Sequence, residues 1–126
     1  MILDPYSPEV RALFADPVHA GIIEGACRAD IADQGVRIGL FALVEADTIS
    51  RLGFAAWGCP HLIAAAEAFC REYEGQDPAD LLEFSASDLM ERLSVPVEKT
   101  GRILVLEDAV RSLGNIVRET LTNQED

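Results

Sequence analysis

The chain is poor in basic residues, and in lysine most of all. Its 126 residues include 22 acids and 10 bases, Lys99 is the only lysine, and the net charge is -12. Nucleic acid is not an expected partner, because phosphate binding requires a basic face. An anionic membrane surface is disfavoured for the same reason. A basic protein partner stays open, although an acidic surface also serves solubility alone.

Long apolar runs and an export signal are also missing. The N-terminus MILDPYSPEV has neither a basic region nor a long apolar stretch, so no signal peptide is predicted. No run approaches the roughly 20 apolar residues that a membrane span needs. We therefore expect a cytoplasmic protein. In that reducing compartment, three cysteines (Cys27, Cys59 and Cys70) are not expected to form a disulfide framework.

The remaining composition is that of an ordinary globular protein. Hydrophobic residues make up 49% of the chain and charged residues 25%. A chain of this length is expected to form a single domain over residues 1–126 and to bury roughly two thirds of its surface. We find no internal repeat, linker or low-complexity segment in it.

Hydrophobic periodicity predicts one helix, then three strands, then further helices. Ser7 can cap the first helix, with Pro8 at its first position, and the pair Asp16-Pro17 ends it. Alternating apolar residues predict a buried central strand over 36–44. Its neighbours at 21–31 and 48–57 follow short turns, Asp33-Gln34-Gly35 and residues 45–47, so the three form an antiparallel meander.

The second half is predicted to be helical. A helix over 60–73 begins at Pro60 and stops before Gly75, and Asp77-Pro78 opens a short one through residue 82. Ser87 is expected to cap a third helix, and the last runs over about 100–121. The order predicts an α+β fold, in which helices pack on a small three-stranded antiparallel sheet.

Chemistry-bearing residues concentrate in the segment Gly58-Cys59-Pro60-His61, where a strand meets a helix. A helix N-terminus stabilises a thiolate through the dipole and its free N–H groups. Cys59 and His61 could therefore face a common metal ion. A Cys-x-His pair is a weak metal motif, and a buried, inert cysteine beside an exposed histidine is the simpler interpretation.

Three stretches, taken in order along the chain, resemble the U-type iron–sulfur cluster scaffold family (IscU and the NifU N-terminal domain). YSPEVRALFADPVHAG is similar to the first helix of that family. Trp57-Gly58-Cys59, before an alanine-rich helix, resembles its Tyr-Gly-Cys-Gly-Ser-Ala segment. LSVPVEKTGRILVLEDAV resembles its Leu-Pro-Pro-Val-Lys motif and the helix that follows. The resemblance covers nearly the whole chain, with one shortening after Gly21.

The resemblance implies a scaffold that holds a [2Fe–2S] cluster, iron or zinc on three cysteines plus an aspartate or histidine. Such scaffolds receive sulfur from a cysteine desulfurase and work with acceptor and chaperone proteins. Cys59 matches the second family cysteine. The family's His-Cys pair at the head of the last helix falls on Gly101-Arg102, so two ligands are replaced. The chaperone motif is altered to Val95-Pro96-Val97-Glu98-Lys99.

Two alignments are possible for the first family ligand. An ungapped match backward from Cys59 puts Asp33 at the ligand position, whereas a gapped match uses Cys27 and Asp30. We prefer the ungapped match, because hairpin length fixes which way side chains face, and it places Cys27 away from the site. His61 is a candidate replacement ligand.

The other candidate residues receive simpler interpretations. Cys70 lies about three helical turns beyond Cys59, too far to share a metal, and is expected to pack in the core. His19 is expected to be a surface or helix-capping residue. Lys99 could pair with Asp33, although an exposed ion pair elsewhere is as plausible.

Three functions remain open from sequence. The first is a scaffold-like carrier that binds iron, zinc or an iron–sulfur cluster near Cys59, with Asp33, Cys27 or His61 completing the site. The second is a relative without a metal that acts as a protein-interaction module in cluster assembly. The third, ranked last, is an enzyme with Cys59 as nucleophile and His61 as base, since residues two apart on a helix do not face each other. We expect no enzyme activity, and a homo-oligomer is left open.

Overall fold

The computed structural model describes residues 6–123 of the 126, and it has the predicted α+β architecture. Helix α1 spans Pro8–Ala15, the strands β1, β2 and β3 span Cys27–Asp33, Val36–Glu45 and Thr48–Trp57, and α2 spans Pro60–Tyr73. A 3-10 helix at Pro78–Glu83, the short helix α3 at Ser87–Arg92, a 3-10 turn at Val97–Lys99 and the long helix α4 at Thr100–Asn123 complete the fold.

The three strands form an antiparallel meander in the order β1-β2-β3. Two-residue turns connect them, with positive φ at Gln34 and Gly35 in the first and at Ala46 and Asp47 in the second. Positive φ at both central residues matches the right-handed twist of a tight hairpin. The predicted turns are therefore confirmed.

The central strand β2 has one fully buried face. Val36, Ile38, Leu40 and Ala42 point together towards the helices. On the opposite face Phe41 is buried, with the Arg28 guanidinium 5.0 Å from its ring centroid, but Arg37 is exposed. The prediction that β2 is covered on both faces is thus correct only over its middle.

Both long helices pack on the same face of the sheet. Helix α4 crosses β1 and β2, and α2 lies on β3 between α1 and α4. Because α2 has neighbours on several sides, burial extends around it from His61 to Cys70. Among the described residues, no helix is long and apolar enough to cross a membrane.

Two sequence predictions of local structure are wrong. The first strand begins at Cys27 rather than at residue 21, because residues 21–26 leave the sheet edge and cross its outer face, where Ile23 is buried over Gly53. The N-cap of α3 is Ala86, not Ser87.

Candidate functional site

Three corners of the fold meet beside Cys59: the β1–β2 turn, the β3–α2 junction and the head of α4. A Cβ placed on Gly58 would lie 2.9 Å from the carbonyl oxygen of Gly35. A Cβ placed on Gly101 would lie 3.1 Å from Oε1 of Gln34. The positions compared with family ligands in the preferred alignment, on the turn and at the head of α4, are therefore neighbours in space.

Cys59 is the N-cap residue of α2. Its extended backbone (φ -159°) follows Gly58, which has a φ of +103° that only glycine adopts without strain. The carbonyl oxygen of Cys59 accepts the first helical hydrogen bond from Ile63 N at 3.2 Å. The side chain makes no capping hydrogen bond and is 3% exposed within the main apolar core. The thiol is thus packed against apolar neighbours.

His61 is buried in the first turn of α2, at 2% exposure, and not on the surface as its simpler interpretation required. Its ring lies 4.9 Å from that of Tyr6, centroid to centroid. Within the described part of the chain, residues 6–123, neither ring nitrogen has a hydrogen-bond partner. Burial lowers the pKa of His61, the charges of Lys99 and Arg102 lower it further, and Glu98 opposes them. The imidazole is therefore neutral at pH 7, with free nitrogen atoms.

Asp33 ends β1 at the edge of this corner. Its side chain is exposed, and Oδ1 accepts a hydrogen bond from Gln34 N at 2.8 Å, which stabilises the tight turn. Lys99 forms no ion pair with Asp33 or with any other residue between 6 and 123. The positive charge of Lys99 instead lowers the pKa of His61.

Cys27 lies at the opposite end of β1 from Asp33, about 20 Å away at the rise of an extended strand. It pairs with Ala42 across the hairpin, and its Sγ lies 3.8 Å from Oγ1 of Thr120 on α4. The structure therefore does not bring Cys27 to Cys59. Cys70 is fully buried as expected, and burial, then Glu67 and Glu74, raise the pKa of its thiol well above the ordinary value.

The donor set at this corner does not fit a cluster site of the family's type. Cys59 supplies one thiol, whereas iron–sulfur clusters are held mainly by several thiolates. Arg102 stands where a family thiolate is expected, and a guanidinium cannot deprotonate to ligate a metal. In the part of the chain that the structure describes, no three His, Cys, Asp or Glu side chains are grouped so as to hold a metal ion.

Sequence reasoning missed a charged network around His19, which is neither a surface nor a capping residue. Its Nδ1 lies 2.6 Å from Oε2 of the fully buried Glu67, and its Nε2 lies 3.3 Å from Oε1 of Glu74. Arg71 Nε donates to the same Glu67 oxygen at 2.9 Å. One signal was available: Glu67 is the single charge within the apolar run from Leu62 to Cys70.

The network ties the segment after α1 to α2 and β3. His19 N donates to Oε1 of Glu67 at 2.7 Å, and Leu52 N donates to Oε2 of Glu74 at 2.8 Å. Burial alone lowers the pKa of His19, but its hydrogen bonds and charge interactions with Glu67 and Glu74 outweigh that effect and raise it. The network therefore stabilises the fold on the side of α2 that faces away from α4.

A small antiparallel sheet covered on one face by two long helices, with a cysteine at a strand–helix junction, defines a scaffold-like α+β domain. Residues 5–114 match the model of the NifU-like N terminal domain family. The chain therefore belongs to that family, as the resemblance predicted.

Comparisons with individual proteins agree with this assignment. A nitrogen fixation protein NifU from Azotobacter chroococcum mcd 1 is 34% identical over an alignment of 102 residues, and the match covers 75% of this chain and 32% of that protein. The chain thus spans about a third of the length of this curated relative.

Solved structures share the fold. A nitrogen-fixing NifU-like protein (N-terminal) from Brucella abortus matches with a TM-score of 0.69 and 15% identity, over 90% of this chain and 94% of that one. A protein from Fervidobacterium islandicum AW-1, proposed as an iron–sulfur cluster assembly scaffold of the SUF system, matches with a TM-score of 0.67 and 14% identity, over 84% and 93%.

Proposed function

We propose that this chain takes part in iron–sulfur cluster assembly as a non-enzymatic protein-interaction module, without holding a cluster on its own side chains. Its membership of the NifU-like family and the roles that its relatives' names state support the pathway. The second part of the proposal, that the chain holds no cluster on its own side chains, rests on the residues at the head of α4. There Gly101 and Arg102 stand where the family resemblance implies a His-Cys pair, and Gly101 lies against Gln34.

Charge at this corner also opposes the binding of iron. Lys99 and Arg102 both lower the pKa of His61, and Glu98 alone opposes them, so two of the three charges that act on the ring would repel a bound cation. Arginine keeps its charge at every accessible pH. Cys59 is 3% exposed within the apolar core, so its sulfur is not open to a metal ion from solvent.

The partners that this role requires are the proteins of cluster assembly. By resemblance these are a cysteine desulfurase, a chaperone and acceptor proteins, and a homo-oligomer would add a further surface. The net charge of -12 favours a partner with a basic contact surface. The altered segment Val95-Pro96-Val97-Glu98-Lys99 makes the chaperone the weakest of these candidates.

Titration of the cysteine desulfurase from the same genome with this chain, followed by calorimetry, tests the interaction role. We expect a saturable complex, and we expect Cys59→Ser to bind with the same affinity, because a surface interaction does not use the buried thiol. Absence of a complex would contradict the proposal. A complex that disappears in Cys59→Ser would also contradict it, since that result identifies Cys59 as an acceptor of sulfur or metal.

A second candidate function, metal binding at Cys59 and His61, is favoured by one observation. Both nitrogen atoms of the buried, neutral His61 ring lack a partner, and a free imidazole nitrogen is a common ligand of zinc and iron. Asp33 lies at the same corner, and a second copy of the chain would have to complete the ligand set.

Metal analysis of the purified protein tests this candidate. Bound zinc or iron near one ion per two chains, lost in both Cys59→Ser and His61→Leu, would establish the shared site. Metal-free wild-type protein, or metal that survives both substitutions, would exclude it. Cys70→Ser is the matched control, because Cys70 is a buried cysteine on the same helix but far from the corner.

A further inference from the structure

The outer edge of β3 is covered along most of its length. Ile49 N donates to the carbonyl oxygen of Gln76, which follows α2, and Leu52 N donates to Oε2 of Glu74. Phe54 N donates to His19 O at 3.1 Å, and Phe54 O accepts from Gly21 N at 2.7 Å. The segment around Ala20 thus pairs in parallel with Phe54 and protects the edge there.

This cover ends before the last residues of β3. Gly21, with a φ of +139°, takes the chain off the edge and over the outer face of the sheet, where its carbonyl oxygen lies above Gly53. In an antiparallel ladder, alternate residues point their N–H and C=O groups the same way. Ala56 therefore points both groups outward, as Phe54 does. Among residues 6–123, Ala56 makes no hydrogen bond outside the sheet.

An apolar groove of about 510 Å³ runs beside this uncovered edge. Its lining includes Phe14 of α1, Pro17, Ile63 of α2, and Ala56 and Trp57 of β3. Phe14 is exposed, and Trp57 is 55% exposed. Large aromatic side chains left open beside a free strand edge are the usual features of a surface that binds an extended peptide.

An exposed positive charge lies on β2, next to the Trp57 wall of the groove. Arg37 is exposed and lies directly across the sheet from Trp57. It forms no ion pair with another residue in the described range 6–123. In a chain with a net charge of -12, a free arginine beside exposed aromatic rings favours a partner that carries a carboxylate.

We propose that this groove binds an extended peptide segment of another protein, in which an apolar side chain is followed closely by an acidic residue. The apolar side chain fills the space between Phe14 and Trp57, the peptide main chain pairs with Ala56, and the carboxylate contacts Arg37. A second copy of this chain is a poorer occupant, because two chains of net charge -12 repel each other. This surface gives the proposed interaction role a location and rests on that role for the kind of partner. The acidic residue is a local feature of the bound segment, whereas the net charge of -12 favours basic residues elsewhere on the partner's contact surface.

Selection of random heptapeptides displayed on phage, against the immobilised full chain, tests the site without any assembly protein. We expect the selected sequences to share an apolar residue followed by Asp or Glu. Synthetic copies of them are then titrated while the emission of Trp57 is followed, which is unambiguous because Trp57 is the only tryptophan. Burial of the indole should shift its emission to the blue.

Variants separate the three contacts. Ala56→Pro removes the free N–H at an edge position that tolerates proline, and Phe14→Ser removes one wall while keeping the fluorescent residue. Each should weaken peptide binding about tenfold or more, and Arg37→Gln about fivefold, as expected for hydrogen bonds, apolar contacts and an exposed charge pair. Arg51→Gln is the control. Arg51 lies on β3, on the outer face of the sheet but far from the groove, so this substitution should leave binding unchanged.

Three results would overturn this proposal: selected peptides without a common pattern, binding that all four variants leave unchanged, or a concentration-dependent dimer that Ala56→Pro abolishes. The last would identify a second copy as the occupant. Circular dichroism of each variant confirms that it folds, and Phe14→Ser keeps the test decisive if Ala56→Pro does not. The groove can fail to bind peptides although the desulfurase complex forms. Failure of this proposal can therefore be distinguished from failure of the proposed function.

Discussion

At the residue scale, the two histidines behave in opposite ways because their neighbours differ. His19 is partly buried between the carboxylates of Glu67 and Glu74, which raise its pKa. His61 is buried without a hydrogen-bond partner among residues 6–123, and burial, then the charge of Lys99, lower its pKa. Only the second resembles an unused ligand. The first is a structural group that links the segment after α1 to α2.

The buried carboxylate of Glu67 should matter more to stability than any exposed acid of the same helix. Glu67→Gln leaves His19 and Arg71 without their shared partner, so we expect a loss of about 2–3 kcal/mol in the free energy of unfolding. Glu72→Gln removes an exposed charge that lies 3.6 Å from Arg92, and should cost less than about 0.5 kcal/mol. Urea denaturation at pH 7 measures both, and equal losses would contradict the network.

The same network predicts how stability depends on pH. The pKa of His19 in the folded chain lies above its ordinary value of 6.5. Its contribution is therefore complete below about pH 6.5 and is lost as the pH rises through the folded pKa. We expect the free energy of unfolding to fall as the pH rises from about 6.5 through the folded pKa, with a clearly smaller fall in His19→Gln. Identical profiles for the two proteins would show that His19 does not titrate as described.

His61 supplies a separate prediction about unsatisfied polar groups. Replacing a buried, unpartnered imidazole by an apolar side chain of similar size removes a desolvation cost. We therefore expect His61→Leu to raise the free energy of unfolding by about 1 kcal/mol in metal-free buffer, as measured by urea denaturation. A loss of stability would mean that the ring makes favourable contacts, such as that with Tyr6, which outweigh its lost hydration.

At the scale of elements, periodicity and turn residues predicted most of the fold. The limits of β3 and α2 were predicted correctly, because Pro60 and Gly75 mark both ends of the helix and tight turns bound the strand. Residues 21–26 were misread as strand, since their apolar side chains cover the sheet instead of extending it. The cap of α3 was missed because Ala86 N is bonded to Glu107, a residue distant in sequence.

The site was less predictable than the fold. The ungapped alignment assigns family ligand positions to the β1–β2 turn and to the head of α4. It therefore implies that these two parts of the fold lie close together. The ring of His61 lies against that of Tyr6, and His19 pairs with Glu67. Contacts of this kind join distant segments, so spacing along the chain cannot reveal them.

The junction between β3 and α2 offers a test with a matched pair of glycines. Gly58 and Gly75 both have positive φ, but only Gly58 lies against other backbone, with Gly35 O at 2.9 Å from its would-be Cβ. We expect Gly75→Ala to cost about 1 kcal/mol through strain and Gly58→Ala about 3 kcal/mol through strain and collision. Thermal unfolding of the two variants measures the difference. Equal effects would contradict the close contact of these corners.

At the scale of the whole molecule, the chain has the family's fold, with the helices, the meander and the strand–helix junction at Cys59. By the sequence resemblance, the positions that hold a cluster in the family carry an exposed aspartate, a glycine and an arginine in this chain. Function depends on the residues of a site rather than on the fold, so we expect the activity of this chain to lie in the surfaces that it retains.

Anaerobic reconstitution with ferrous iron and sulfide tests the central claim most directly. Wild-type protein is compared with Asp33→Cys/Arg102→Cys, which restores two thiols beside Cys59 at the corners that the fold brings together. We expect no stoichiometric chromophore in the wild type and cluster absorption in the double variant, removed again by Cys59→Ser. A stoichiometric cluster on wild-type protein that depends on Cys59 would contradict the account and make the chain a carrier.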